Sequence, residues 1–262
     1  MQLNNARILL TGATGGLGQA LAKQLAADGA HLLLAGRDVG RLSQLTATLG
    51  AGHSSVHADL TRPDGLVATV GAACEFRANV LINNAGIGAF GLYEQQDWND
   101  LAAVLETNLG LPMRLTHALL PHLRSLPEAA VVNVGSTFGS LPFAGFTAYS
   151  AAKSGLRGFS QALRRELADT GVAVIHLAPR AIATALNSAA VNALNTELNN
   201  RSDTPEAAAV QIVAALRQGV AERHMGFPER LFAWLNGVAP CLIDHGLAGK
   251  LATIKKHATS TL

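Results

Sequence analysis

Thr11-Gly-Ala-Thr-Gly-Gly-Leu-Gly18, TGATGGLG, sets four glycines in eight residues directly after the apolar run ARILL. Glycine loses more backbone freedom on ordering than any other residue, so a cluster of it marks a turn whose backbone must approach something closely. An apolar run precedes this turn and a helix-period stretch, residues 17–27, follows it. It therefore reads as a strand-to-helix turn. The free N–H groups and dipole at such a helix start favour an anion. The spacing of Gly12, Gly16 and Gly18, with Gly15 extra, is not GxGxxG, and the absence of GK[ST] excludes a triphosphate P-loop.

Working outward, short apolar runs recur at residues 8–10, 32–34, 55–57, 80–82, 131–134 and 172–177. Helix-period stretches lie between them at 17–27, 39–49, 66–74, 97–123 and 149–169. Strands alternating with helices predict a parallel sheet covered on both faces, an α/β fold. The strands are nearly continuous in apolar character, as doubly buried strands are. Beyond Pro179 the alternation stops. Residues 181–200 are rich in Ala and Asn, and 205–218 predict a helix opened by Pro205. The stretch RHMGFP predicts a last short strand. Residues 231–257 read as mostly helical, with interruptions at Gly237, Pro240 and Gly246.

The chain has 262 residues, 49% hydrophobic and 15% charged, with a net charge of +2. It can bury a large core, and one domain over 1–262 accommodates it. A small net charge with no basic block gives nucleic acid no footprint. Cys74 and Cys241 form no metal-spaced cluster, which points to a reducing compartment, and the N-terminus does not read as a signal peptide. A cytoplasmic location is expected. His53 and His57 share a strand face but stand about 13 Å apart, too far for one metal, and no metal is expected.

Three further signals lie where parallel sheets bind ligands, at the carboxyl ends of strands. HADL puts Asp59 after the third strand. INNAG, residues 82–86, closes the fourth with two amides and a glycine. Ser136 follows the strand VVNVG, and Tyr149 and Lys153 stand thirteen and seventeen residues later, four apart on a helix. Such a pair lies about 6 Å apart along the axis, on one face. A lysine cation there is expected to lower the phenol pKa from about 10 and suit Tyr149 to acid–base work.

Taken in order, TGxxxGxG (Thr11 to Gly18), Asp59-Leu60, NNAG (Asn83 to Gly86), Asn108, Ser136 and YxxxK (Tyr149 to Lys153) resemble the short-chain dehydrogenase/reductase family, from about Ala6 to Thr184. The resemblance implies a Rossmann-type doubly wound sheet in three αβα layers, here with a helical C-terminal extension, and reversible carbonyl–alcohol chemistry by hydride transfer. It implies Ser136, Tyr149, Lys153 and Asn108 as the catalytic set, with Asn108 holding a water beside Lys153. It implies a nicotinamide dinucleotide held by Gly12, Thr14, Gly15, Gly16, Leu17, Gly18, Arg37, Asp59, Leu60, Asn84, Ala85, Gly86, Tyr149, Lys153, Pro179, Ile182 and Thr184. Residues 181–204 then correspond to a substrate lid, and residues 227–262 run on as the extension. Self-association as a homodimer or homotetramer is implied through 97–123 and 149–169.

The second strand ends in Gly36 and Arg37, where an NAD enzyme would carry an acid. Arginine binds a 2′-phosphate bidentately, so NADP(H) is the expected cofactor, with NAD(H) the other candidate and Asp38 pulling the opposite way. The family's Pro-Gly reads Pro179-Arg180 here. Arg180 is left with two readings: a partner for a cofactor phosphate or acidic substrate, or a solvent-facing side chain. The apolar residues Phe227, Leu231, Phe232, Trp234 and Leu235, with Lys250, Lys255 and Lys256 behind, fit packing over the pocket or between subunits, or a weak membrane-surface contact. Phe138, Phe143 and Phe146 near Ser136 suggest an apolar or acyl-type ketone or aldehyde. Tyr93 reads as loop packing. The leading function is an NADPH-dependent carbonyl reductase acting on a small molecule. Its rivals are a dinucleotide-binding sensor or scaffold without turnover, and a nucleotide-sugar epimerase or dehydratase, for which 262 residues leave little room.

Overall fold

The structure is a computed structural model that describes residues 2–259; Met1 and the last residues of the predicted extension, 260–262, lie outside the described residues. In chain order the elements are β1 (Arg7–Thr11), α1 (Gly16–Ala27), β2 (His31–Gly36), α2 (Val39–Leu49), β3 (Ser54–His57), α3 (Pro63–Glu75), β4 (Val80–Asn83), α4 (Trp98–Leu105), α5 (Leu111–Arg124), β5 (Ala129–Val134), α6 (Thr147–Glu166), β6 (Val172–Ala178), α7 (Ala189–Glu197), α8 (Pro205–Arg217), β7 (Glu222–His224), α9 (Glu229–Val238), α10 (Pro240–Ala248) and α11 (Leu251–Thr259). The strands form one parallel sheet in the order β3-β2-β1-β4-β5-β6-β7.

Alternation along the strands divides the core between two faces. Ile8, Leu10, Leu32, Leu34, Val80 and Ile82 pack with α1, α2 and α8. Leu9, Leu33, Leu81, Val131 and Val174 pack with α5 and α6. This is the predicted three-layer, doubly wound α/β arrangement of Rossmann type. The chain winds one way from β1 to β3 and the other from β4 onward, so the sheet switches direction between β1 and β4. The connections after these two strands part to opposite faces and leave a crevice at their carboxyl ends.

The predicted helix over 97–123 is two helices joined by a π turn, Glu106–Gly110. Pro112 has no N–H to give the Asn108 carbonyl four residues back, so the α ladder cannot run through. In the extension only the break at Pro240 occurs as expected. Gly237 and Gly246 sit inside α9 and α10, each with open space where a side chain would be, and the second break falls at Gly249-Lys250. The last strand is Glu222–His224, a little earlier than RHMGFP predicted, though Met225 still donates to the Ala178 carbonyl at 2.9 Å.

A polar row crosses the sheet beneath α5 and α6. Asn83, Asn133 and His176 are neighbours in register on β4, β5 and β6. Asn83 Nδ2 donates to Asn133 Oδ1 (2.8 Å) and Thr116 Oγ1 (3.2 Å), and Asn133 Nδ2 donates to Ser160 Oγ (2.8 Å). These bonds pin both helices to the strands. His176 is fully buried, and burial lowers its pKa to about 4. In the unfolded chain it titrates near its ordinary value of about 6.5. The unfolded state therefore takes up a proton first as pH falls, and the native state loses stability between about 6.5 and about 4. The full loss is of order 3 kcal/mol. A His176→Val variant should show a flatter fall in urea-unfolding free energy across this window; equal slopes would contradict the assignment.

Candidate active site

The glycine turn and the 83–86 turn close on each other at the switch point. Thr11 Oγ1 accepts from the N–H groups of Asn84 (3.0 Å) and Ala85 (3.1 Å). Asn84 Nδ2 returns the contact to the Thr11 carbonyl at 3.0 Å and reaches the Gly12 carbonyl at 3.3 Å. The Asn84 amide thus braces the turn. Gly12 has φ +63°, and a Cβ there would lie 2.7 Å from Ala85 Cα. At Gly18 a Cβ would lie 2.1 Å from the Gly12 carbonyl oxygen. These two glycines serve close packing. Gly15 differs: its Cβ would meet nothing nearer than 3.4 Å, and no side chain caps the start of α1. The first N–H groups of α1 thereby remain available to an anion. Gln19 holds the Thr14 carbonyl at 2.9 Å, and Leu17 packs on the core below.

Across the crevice stand the other predicted residues. Ser136 follows β5, its Oγ accepting from Phe138 N at 3.2 Å, and its hydroxyl stands close enough to the Tyr149 phenol to act on that group's pKa. The Pro179 carbonyl accepts from Thr137 N (2.9 Å) and Thr137 Oγ1 (3.2 Å), fixing the turn that carries Ser136. Lys153 is 5% exposed, donates to the Val134 carbonyl at 2.9 Å, and holds its ammonium 5.8 Å from the centre of the Tyr149 ring. Asn108 is fully buried in the π turn, exchanging hydrogen bonds with Ile87 N (2.9 Å) and Ile87 O (2.8 Å). Gly86 lets these groups meet: its Cβ would lie 2.9 Å from Asn108 Oδ1 and 3.9 Å from Lys153 Nζ. The structure thus brings Ser136, Tyr149, Lys153 and Asn108 together.

The electrostatics differ from expectation. Burial raises the Tyr149 phenol above its usual value, and the Ser136 hydroxyl opposes this only in part. The expected lowering by Lys153 is not seen, because its ammonium is turned to Val134 O. Burial meanwhile lowers Lys153 to about 8, so its proton is exchangeable near neutral pH.

Phe90, Phe138, Phe143 and Phe146 form a wall beside Tyr149, with ring centroids of successive pairs 4.9–5.4 Å apart and Phe146 6.3 Å from Tyr149. Sequence reasoning missed Phe90, which arrives from the loop after β4 and carries no local pattern. It also missed Thr11 as the tie between the two turns, and Gly139, whose Cβ would lie 2.7 Å from the Lys153 carbonyl oxygen. Tyr93 is 51% exposed in a short 3₁₀ turn, so its expected loop packing is partial.

Ile182 bridges Asp203, and Thr184 lies over Gly16, its Cγ2 3.0 Å from where a Cβ there would stand. The segment after β6 therefore covers the glycine turn. The solvent-facing reading of Arg180 does not hold. It pairs with Asp203 and, at 4.0 Å, with Glu229, and its side chain is 18% exposed.

At the end of β2, Arg37 is exposed while its carbonyl meets His57 Nε2 at 2.9 Å. Asp38 is occupied elsewhere: it caps α2, accepting from Arg41 N at 2.9 Å and pairing with Arg41 Nε at 3.3 Å. Asp59 accepts from Thr61 Oγ1 (2.7 Å) and Thr61 N (3.0 Å), which lowers its pKa, with Arg37 adding to the effect. Leu60 beside it is buried. His53 receives a hydrogen bond from Leu32 N, so both strand histidines are engaged with backbone. Among the described residues no group of three metal-ligating side chains comes together.

The sequence model describing short chain dehydrogenases matches residues 6–195. Sulfoacetaldehyde reductase of Chromohalobacter salexigens is 40% identical over 179 residues, 66% of this chain and 70% of its own. The 3-oxoacyl-[acyl-carrier-protein] reductase FabG of Vibrio cholerae is 33% identical over 194 residues, 72% of this chain and 78% of its own. A short-chain dehydrogenase from Sphingobium yanoikuyae, solved in complex with NADPH, superposes with a TM-score of 0.78 at 27% identity, over 91% of this chain and 95% of that one. The chain belongs to the short-chain dehydrogenase/reductase family and is an oxidoreductase of that family.

The close packing at the switch point is testable. Gly12→Ala meets both a left-handed backbone and the 2.7 Å approach to Ala85 Cα. It should lower the unfolding free energy by about 2 kcal/mol or more. Wild-type stability in urea would contradict this account of the turn.

Proposed function

We propose that this short-chain dehydrogenase is an NADPH-dependent reductase of an apolar or acyl-type ketone or aldehyde, working reversibly. The observation that carries the reading is the meeting of Ser136, Tyr149 and buried Lys153 in one corner, set against the phenylalanine wall. The cradle fits a dinucleotide: an uncapped α1 start beside Gly15, tight glycines on either side, and an arginine at the end of β2. Gly12, Thr14, Gly15, Gly16, Leu17 and Gly18 would hold its pyrophosphate side. Arg37, Asp59 and Leu60 would hold the adenosine half. The backbone of Asn84, Ala85 and Gly86, with Tyr149, Lys153, Pro179, Ile182 and Thr184, would hold the nicotinamide half. The reduced nicotinamide supplies a hydride when bound.

The protein's own part is proton handling and charge placement. Tyr149, whose raised pKa keeps it protonated, gives its proton to the substrate oxygen. Ser136 donates a hydrogen bond to the same oxygen as negative charge develops there. Lys153, titrating at about 8, takes part in returning a proton to Tyr149, and Asn108 holds its site closed from behind. Residues 181–204 act as the lid. In this reading the whole chain is one catalytic domain.

Substrate class is argued from the walls. Phe138 and Phe146 meet Tyr149 edge-on with Phe90 and Phe143 packed against them, and Arg180, the cation expected to meet an acidic substrate, is held by two carboxylates. Similarity to an acyl-carrier-protein reductase points the same way. NADPH is favoured because Asp38 is engaged as a helix cap while Arg37 stays exposed. Trp98 and Met113, exposed on α4 and α5, fit a homodimer or homotetramer contact. Two exposed free thiols suit a reducing cytoplasm. Phe227, Trp234, Val238 and Leu242 are also exposed, and either another subunit or a membrane surface would cover such a row.

Tyr149→Phe should lower kcat for NADPH-driven ketone reduction by about a thousand-fold while NADPH affinity stays within a few-fold. Residual wild-type turnover would remove Tyr149 from its role. Arg37→Ala should raise the KM for NADPH by about ten-fold or more and leave that for NADH unchanged. An unaltered NADPH/NADH ratio of kcat/KM would overturn the cofactor assignment.

A further inference from the structure

Arg180 stands directly after Pro179, whose carbonyl fixes the Ser136–Thr137 turn. Its guanidinium gathers two distant segments. One is Asp203, on the return limb of the 181–204 segment. Another is Glu229, the first residue of α9. Gly226, three residues before Glu229, has a φ of +90° and no side chain, which lets the arginine stem pass: a Cβ there would stand 2.8 Å from Arg180 Cδ and 3.0 Å from Glu229 Oε2.

Asp203 is itself tied to the outgoing limb. Its N–H donates to the Ala181 carbonyl and its carbonyl accepts from Ala183 N, both at 2.9 Å, and its other carboxylate oxygen lies 3.5 Å from Gln211 Nε2. The two limbs are thus zipped together at the base. At the far end, Glu197 on α7 accepts from Lys256 and His257 on α11, each at 2.8 Å. Between these points, Asn236 on α9 donates to the Ser140 carbonyl at 3.0 Å, next to the turn that carries Ser136. The extension is therefore fastened to the lid segment at both ends and to the catalytic turn in the middle.

A partly buried ion cluster contributes little net stability, since desolvation offsets most of the attraction. What it does supply is a fixed relation between the parts it joins. We propose that Arg180 is a positioning residue that clamps the base of the lid to the C-terminal extension, so that lid closure over the glycine turn and seating of α9 on the catalytic turn are one coupled event. The kinetic part of this inference rests on the reductase reading; the clamp itself does not.

The test uses the full chain. Arg201 is exposed and is the sole basic residue of the 181–204 segment, so trypsin cleavage after it, followed by mass spectrometry, reports opening of the lid. Glu229→Gln lies outside that segment, yet it should speed this cleavage by about five-fold or more. Asp203→Asn should do likewise, and the Asp203→Asn/Glu229→Gln pair should be no faster than the faster single variant, because both act through one guanidinium. With a 3-oxoacyl thioester as probe, Glu229→Gln should raise its KM by about ten-fold and, because Ile182 and Thr184 ride on the clamped segment, weaken NADPH binding by about three-fold.

Unchanged cleavage in Glu229→Gln, or effects of the two substitutions that multiply, would overturn the clamp. If no carbonyl compound is turned over by the wild type, the reductase reading fails while the cleavage comparison still decides the clamp. Should Asp203→Asn fail to fold, Arg180→Lys replaces it: that side chain keeps the charge but cannot span both carboxylates, and it should open the lid as Glu229→Gln does. Wild-type protection in Arg180→Lys would count against the inference.

Discussion

One hydroxyl ties the turns after β1 and β4 to each other at the carboxyl edge of the sheet. Thr11 Oγ1 accepts from two consecutive N–H groups, of Asn84 and Ala85, across the gap where β1 and β4 send their connections to opposite faces. The contact is possible because Gly12 adopts a left-handed conformation and presents no side chain to Ala85. Every later feature is positioned from this seam. Gly86, two residues on, comes against Asn108; Asn108 is locked to Ile87; and Lys153 reaches the same corner from α6. The glycine turn and the catalytic corner are thus the two ends of one short rigid path. Their separation is set by hydrogen bonds from short side chains, Thr11 and Asn108, to the backbone.

What was legible in the sequence is what local spacing encodes. The glycine turn, the strand ends at Asp59 and Asn83, and the Tyr149–Lys153 pair depend on residues close together in the chain, so periodicity and motif place them. The strand core was legible for a similar reason: runs of Leu, Ile and Val buried on both faces need no partner to be recognised. Features set by distant partners were not legible. Arg180 read as a loose cation because Asp203 and Glu229 lie 23 and 49 residues away, and nothing local announces them. The π turn at Asn108 was hidden because the stretch is helix-periodic on both sides. Pro112 was the available signal, since it deprives Asn108 of its helical partner. Gly237 and Gly246 misled for the opposite reason. Glycine weakens a helix but does not end one where its open side faces no neighbour.

The catalytic corner also shows why proximity alone does not set a pKa. Four residues apart on α6, Tyr149 and Lys153 would in water attract phenolate to ammonium. Here both lie in a poorly solvated corner, and each is driven toward its neutral form: the phenol upward and the ammonium down to about 8. The lysine spends its donor on the Val134 carbonyl. A protonated phenol next to a readily deprotonated lysine is the state suited to giving a proton away.

The extension alters how such a site closes. A lid that hinges on two glycine-rich limbs can move by itself, whereas this one has an arginine at its first limb and a carboxylate at its second, bound to each other and to α9. Any motion of residues 181–204 must either break that cluster or carry α9 with it. Because α9 is also bonded to the Ser140 carbonyl, carrying it along would disturb the turn that holds Ser136. Opening by breakage leaves two carboxylates partly buried and a guanidinium unpaired, which costs far more than the intact cluster contributes. Lid position, extension and serine are therefore mechanically linked. At Gly145, where a Cβ would meet Phe90 at 2.6 Å and Ile254 of α11 at 3.5 Å, the extension also reaches the apolar wall beside Tyr149.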